Sequence, residues 1–119
     1  AFSPKSIQAK INKLKNDGID CASYEPGFGG FYEETFVRVF ERYTESLRVA
    51  SALDFGDLIL TTVKLFQKHP KVLAAYQERF PYVLVDEYQD TNRCQYLLMK
   101  MLAGSKANLC AVGATLPIL

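Results

Sequence analysis

Ile7, Ile11 and Leu14 recur at the three- and four-residue spacing that lines one face of an α-helix. Ser3-Pro4 opens this helix, with Ser3 as N-cap and Pro4 at the first helical position, where a missing N–H costs nothing. Lys5, Lys10, Lys13 and Lys15 read as decorating its other faces, and Asp17-Gly18 stops it. Residues 21–30 are rich in Gly, Pro and small polar side chains and predict a loop. A long helix is expected from Phe31 to Ala50, with Phe36, Phe40, Tyr43 and Leu47 as its apolar stripe. Asp54 is placed to cap a third helix carrying Phe55, Leu58, Ile59, Thr62 and Phe66, which ends at His69-Pro70. Pro70 then begins a shorter helix through Val72, Tyr76 and Phe80. His69 reads as a C-terminal cap residue of the third helix.

The period changes at Pro81. Tyr82-Val83-Leu84-Val85 is a short, continuous, β-branched apolar run, the pattern of a strand buried on both faces. Asn92, with Gln95 three positions on, has the form of a capping box and starts another helix, which Ala103-Gly104 ends. Asn108 to Val112 predicts a second buried strand containing Cys110. Strand, helix, strand is a parallel β-α-β unit. The expected fold is therefore an α/β fragment, predominantly helical: a helical N-terminal part, then the β-α-β corner of a parallel sheet. Two strands do not make a stable sheet alone, so further strands are expected outside this chain.

Composition narrows the function classes. Hydrophobic residues make up 49% of the 119 positions, which suffices for one small core and leaves little stability in reserve. The formal net charge of +1 excludes the strong basic field that drives autonomous nucleic-acid binding. No apolar run is long enough to span a bilayer and the amino terminus has no secretory pattern. Cys21, Cys94 and Cys110 are scattered and odd in number, which argues against a disulfide framework or a zinc site. A cytoplasmic location with no membrane partner is the expectation.

The candidate chemistry lies in Val83-Leu84-Val85-Asp86-Glu87-Tyr88-Gln89-Asp90-Thr91-Asn92. Open parallel sheets bind ligands beyond the carboxyl ends of their strands. Asp86 and Glu87 stand there. One carboxylate at that position can hold Mg²⁺, which keeps most of its waters and bridges nucleotide phosphates. The next can orient and deprotonate a water attacking a γ-phosphate. We assign Asp86 to the metal and Glu87 to the base. Capping of the following helix is the structural alternative, and an apolar strand ending in Asp-Glu does occur for that reason alone.

The longer string Asp86-Glu87-Tyr88-Gln89-Asp90-Thr91-Asn92, followed by Gln95, closely resembles motif II of the UvrD/Rep-type superfamily-one DNA helicases. Leu53 to Leu60 resembles the Asp-Phe-x-Asp-Leu-Leu segment that precedes it, and the run from Lys10 to Asp17 more loosely resembles the family's helical 1B subdomain. Asn108 to Gly113 is similar to the strand that enters motif III. The resemblance implies residues 1–53 as 1B-like and 54–119 as part of a P-loop-type 1A ATPase domain. It implies a parent that uses ATP and Mg²⁺ to translocate 3′ to 5′ on single-stranded DNA and separate duplexes, with the rest of the helicase chain as partner. Gln89, Asp90 and Gln95 match the motif too. The resemblance gives them a part in coupling nucleotide state to neighbouring motifs, while capping or helix packing explains them equally well. Lys5, Lys10 and Lys13 are candidate DNA contacts, or simply a solvated helix face.

Two departures limit the match. No Gly-x-x-x-x-Gly-Lys-[Ser/Thr] loop occurs, and Gly27-Phe28-Gly29-Gly30 lacks the lysine and hydroxyl that phosphate binding needs, so it reads as a hinge. After Gly113 the family's acidic run and glutamine are replaced by Ala114 and the residues up to Leu119. The isolated chain is expected not to hydrolyse ATP. The competing reading is a non-catalytic remnant that acts as a protein- or DNA-binding module. The aromatics from Phe28 to Tyr43 are expected in a core rather than against bases.

Overall fold

The computed structural model describes residues 3–105 and 108–114. Along the chain run α1 (Pro4–Asn16), α2 (Gly30–Val49), α3 (Phe55–Lys68), α4 (Pro70–Arg79), β1 (Tyr82–Val85), a single 3₁₀ turn (Tyr88–Asp90), α5 (Arg93–Ala103) and β2 (Asn108–Ala111). The architecture is predominantly helical with a small parallel sheet, as expected. The chain divides into two compact units, Ala1–Leu60 and Thr61–Leu119, with α3 running through the division.

In the first unit α1 starts as its sequence dictates: the Ser6 N–H donates to Ser3 Oγ at 3.1 Å. Ile7 and Ile11 of α1 are buried with Phe36 and Phe40 of α2, and Leu14, Cys21, Tyr24 and Tyr43 pack around them. Tyr24 meets Phe36 edge to face, with centroids 5.3 Å apart. The expected aromatic core is thus half right: Phe36 and Phe40 build it, whereas Phe28 and Phe31 are exposed.

Lys15 corrects the expectation for α1. It is buried, not surface decoration, because it lies four residues beyond Ile11 on the same face. Its ammonium lies 2.6 Å from Asp54 Oδ2 and 2.9 Å from Asp57 Oδ1. Those two aspartates also close the start of α3 reciprocally. The Asp57 N–H donates to Asp54 Oδ1 at 2.8 Å and the Asp54 N–H donates to Asp57 Oδ2 at 3.2 Å. Asp54 therefore caps α3 as predicted. The buried face of α3 matches the expected one only in part: Phe66 is buried and Ile59 and Thr62 are half-buried, but Leu60 and Val63 are buried in place of Phe55 and Leu58, which are exposed. Phe55 is the first residue of the helix, next to the Asp54 cap, and it is exposed.

In the second unit Phe66 packs against Tyr76, centroids 5.7 Å apart, and Tyr76 stacks on Phe80. His69 serves both neighbouring helices through its backbone. Its N–H donates to the Leu65 carbonyl and its own carbonyl accepts from Val72. Gln77 Nε2 donates to the Met101 carbonyl at 2.7 Å and so ties α4 to α5. Gly104 ends α5 at φ +58°, where a Cβ would fall 2.8 Å from that same Gln77 Nε2.

β1 and β2 pair in parallel, with Val83 opposite Leu109 and Leu84 opposite Cys110. Val83 and Val85 are half-buried, while Tyr82 and Leu84 are 75% and 73% exposed. β2 is exposed throughout, and Cys110 with it. The expectation of strands buried on both faces, with Cys110 inside, is corrected. Among the described residues α5 packs against the sheet and no third strand joins it.

Candidate functional site

The carbonyl of Val85, the last residue of β1, accepts the Val112 N–H at 2.7 Å, and the Val112 carbonyl accepts the Tyr88 N–H at 2.9 Å. These two bonds carry the parallel ladder one step past the strand ends and pin the intervening Asp86-Glu87 corner. Asp86 Oδ1 accepts the Glu87 N–H at 2.8 Å. Glu87 itself takes the left-handed conformation, φ +51° and ψ +43°. That geometry costs a non-glycine residue about 1–3 kcal/mol and is concentrated at functional sites. The Asp90 N–H returns to the Glu87 carbonyl at 2.9 Å and the Thr91 N–H to the Tyr88 carbonyl at 3.1 Å, which closes the 3₁₀ turn.

Gln89 joins two parts of the corner. Its Nε2 donates to Glu87 Oε2, and its Oε1 accepts the Ala114 N–H at 3.0 Å. The sequence signals Gln89 through its place in the motif, but not this pair of partners, because Ala114 is 25 residues away. Gly113 is legible only once the fold is known: a Cβ there would lie 2.5 Å from Gln89 Oε1 and 3.3 Å from the Gln89 nitrogen.

Asp86, Glu87 and Asp90 are exposed and border a groove of about 390 Å³ with Val85, Gln95 and Leu98. A larger hollow, about 560 Å³, opens around Gln77, Pro81, Tyr82 and Asn108 at the amino ends of the strands. Parallel sheets place ligands at the carboxyl ends, so the smaller groove beside the two acids is the candidate site.

The capping alternative goes to other residues. Asn92 Oδ1 accepts the Gln95 N–H at 2.8 Å and Gln95 Oε1 accepts the Asn92 N–H at 3.1 Å, the capping box that the sequence predicts. Neither Asp90 nor Thr91 is the cap of α5, and Asp86 and Glu87 are not either. Gln95 lines the groove but its side-chain oxygen is committed to Asn92.

Asp86, Glu87, Gln89, Asp90 and Gln95 therefore come together at one strand end. The candidate lysines lie in the other unit. Lys5 and Lys13 are exposed, whereas Lys10 is engaged: its ammonium lies 2.7 Å from Glu33 Oε1 and 4.0 Å from the centre of the Phe36 ring. Tyr24 Oη donates to the other Glu33 oxygen at 2.6 Å. Burial pulls the Lys10 pKa down, but Glu33 and Tyr24 outweigh it and leave it raised. The Lys10 and Tyr24 hydrogen bonds hold Glu33 below the ordinary carboxylate range.

Among the described residues no three His, Cys, Asp or Glu side chains gather as a metal cage. No helix among them is long and apolar enough to cross a membrane. Of residues 114–119, where the sequence departs from the family pattern, Ala114 is described and 115–119 lie outside the described residues.

A family model described as the UvrD/REP helicase N-terminal domain matches residues 1–115. The chain is 46% identical over 112 residues to the ATP-dependent DNA helicase PcrA of Bacillus subtilis, covering 94% of this chain and 15% of that protein. It is 42% identical to the PcrA of Staphylococcus aureus (strain Mu50) and 40% identical to that of Leuconostoc citreum, with the same coverage. The chain thus spans about a seventh of these relatives. By the match over residues 1–115, this chain belongs to the UvrD/REP helicase family, within its N-terminal domain.

Proposed function

We propose that this chain supplies the metal-and-water half of the ATP-hydrolysing site of an ATP-dependent DNA helicase, a 3′-to-5′ translocase that unwinds duplexes. The observation that carries the reading is the corner at the end of β1. Two adjacent carboxylates stand there, neither of which caps α5, and Glu87 is in a strained left-handed conformation. The string from Asp86 to Asn92 is motif II in this reading. Residues 1–53 belong to the helical 1B subdomain and residues 54–119 to the 1A ATPase domain.

Asp86 is the metal carboxylate. Its Oδ1 accepts the Glu87 N–H, and Oδ2 is the oxygen that would take a cation. A single carboxylate suits Mg²⁺, which completes its octahedron with water and phosphate oxygens rather than a protein cage, so the donor set fits. Held there, the ion would supply charge neutralisation for nucleotide phosphates. Glu87 orients the attacking water and accepts its proton. Asp90 lines the same groove and serves the coupling of this site to its neighbours.

The phosphate-binding loop is not in this sequence, and the chain by itself does not turn over ATP in this reading. DNA contacts belong to the whole helicase. Lys5 and Lys13 remain available for phosphates, and Lys10 serves the helical core instead.

The test is Glu87→Gln in the full-length protein that carries this segment. Loss of ATP turnover by a factor of about 10² or more with nucleotide affinity retained is the expected result. Unchanged turnover would remove Glu87 from the chemistry and leave the non-catalytic module as the better account.

A further inference from the structure

We propose that Gln89 is the positioning residue that aims Glu87, by tying its carboxylate to the backbone that leaves β2. The inference rests on the reading of Glu87 as the base and says what holds that base in place. An exposed glutamate samples several rotamers, and the left-handed backbone at Glu87 removes the strand alternation that would otherwise fix its direction. Gln89 provides the missing constraint. Its amide nitrogen donates to Glu87 Oε2, so Oε1 is the oxygen left to take a proton from water.

Gln89 is itself held at its other end. Its Oε1 accepts the Ala114 N–H at 3.0 Å, and Tyr88 just before it is bonded to the Val112 carbonyl at 2.9 Å. The Glu87 carboxylate is therefore referenced to residues 112–114 rather than to its own strand alone. Gly113 completes the device. Any side chain there would enter the space of the Gln89 amide, with a Cβ 2.5 Å from Oε1. A shift of the segment beyond β2 would pass through one amide to the base, and misplacement of a reacting group by about 1 Å costs on the order of 10²-fold in rate.

The experiment uses the full-length protein, with Glu87→Gln, Gln89→Ala, Gly113→Ala and the double variant Gln89→Ala/Gly113→Ala. Gln89→Ala should lower kcat by about tenfold or more while KM for ATP stays within about twofold. Gly113→Ala should act in the same direction. The double variant should be no slower than Gln89→Ala alone, because both changes break one tie. In nucleotide-free protein, Gln89→Ala should also speed hydrogen exchange at the Ala114 amide, a readout independent of turnover. If Glu87→Gln stops turnover but Gln89→Ala leaves kcat unchanged, the base reading stands and the positioning role is wrong. Additive losses at Gln89 and Gly113, or unchanged exchange at Ala114, would overturn the positioning role in the same way. If Glu87→Gln turns over normally, the base reading fails and the positioning proposal falls with it.

Discussion

Lys15 and Asp54 are joined 2.6 Å apart across the helical unit, the lysine side chain only 4% exposed. Tyr43 Oη donates to the same Asp54 oxygen at 2.7 Å, and the Lys15 ammonium lies 5.2 Å from the centre of the Tyr43 ring. One side chain from α1, one from α2 and the first turn of α3 thus meet in one cluster, with the buried Lys15 ammonium between the half-buried carboxylates of Asp54 and Asp57.

Removing the cation leaves two half-buried carboxylates side by side and uncompensated, and breaking a buried ion pair in this way costs about 3–5 kcal/mol. Lys15→Met should lower the stability of the first unit by that order. The triple variant Lys15→Met/Asp54→Asn/Asp57→Asn should recover much of it, since a neutral cluster carries no stranded charge. Urea denaturation of the parent protein and these variants checks this. A loss in Lys15→Met no greater than that of an exposed lysine such as Lys5 would show that the ammonium is solvated after all.

The same cluster predicts a pH dependence with two edges. Burial raises the Asp54 pKa, but Lys15 and Tyr43 outweigh it and hold the carboxyl below its ordinary value. A carboxyl depressed in the folded state stabilises above its unfolded pKa, and that contribution is lost as pH falls through the folded value. For Tyr43, burial and then the bond to Asp54 push the pKa up to about 12. That contribution is complete below the unfolded value of about 10 and is lost as pH rises from there towards the folded one. Tyr43→Phe should therefore flatten the alkaline edge and soften the acid edge. Stability measured against pH for both proteins decides it, and an unchanged alkaline edge would mean that another group sets it.

Periodicity and capping chemistry are local, and for that reason the helices α1 to α5 and both strands are legible in the sequence with boundaries within a residue or so. The Asn92–Gln95 box and the Asp54 cap follow from side chains three residues apart. The features that are not legible are non-local or depend on phase. The charge of Lys15 signals the surface, although its spacing from Ile7 and Ile11 puts it on the buried face. The Gln89–Ala114 bond joins residues that only the parallel pairing brings together. Apolar strand sequences signal burial, but a strand is covered only if neighbours are present, and the described residues supply α5 and one partner strand.

The capping box separates stability from chemistry at the candidate site. Asn92→Ala should cost about 1 kcal/mol by leaving a backbone donor of the first turn of α5 unsatisfied. In the full-length protein its effect on kcat should be small, because the cap does not touch Glu87 or Asp86. A comparison of thermal midpoints and turnover for Asn92→Ala and Glu87→Gln should show opposite patterns: a lower midpoint with activity kept, and a kept midpoint with activity lost. A large kcat loss in Asn92→Ala would place the start of α5 in the catalytic geometry.

The bare face of β1 carries the last prediction. Tyr82 and Leu84 point to the same side of the strand, since residues two apart share a face, and both are largely exposed. Leu84 pairs with Cys110 of β2, which is exposed as well. A contiguous apolar sheet face with a free strand edge beside it promotes self-association. The isolated chain should therefore form dimers or larger species in a concentration-dependent way, and Leu84→Lys should shift it towards monomer in sedimentation velocity. In the full-length protein the same substitution should destabilise, if the further strands expected from the parallel β-α-β pattern cover this face there. These opposite signs separate the two contexts. If Leu84→Lys leaves the association of the isolated chain untouched, some other surface, such as the exposed Phe28 and Phe31, must drive it.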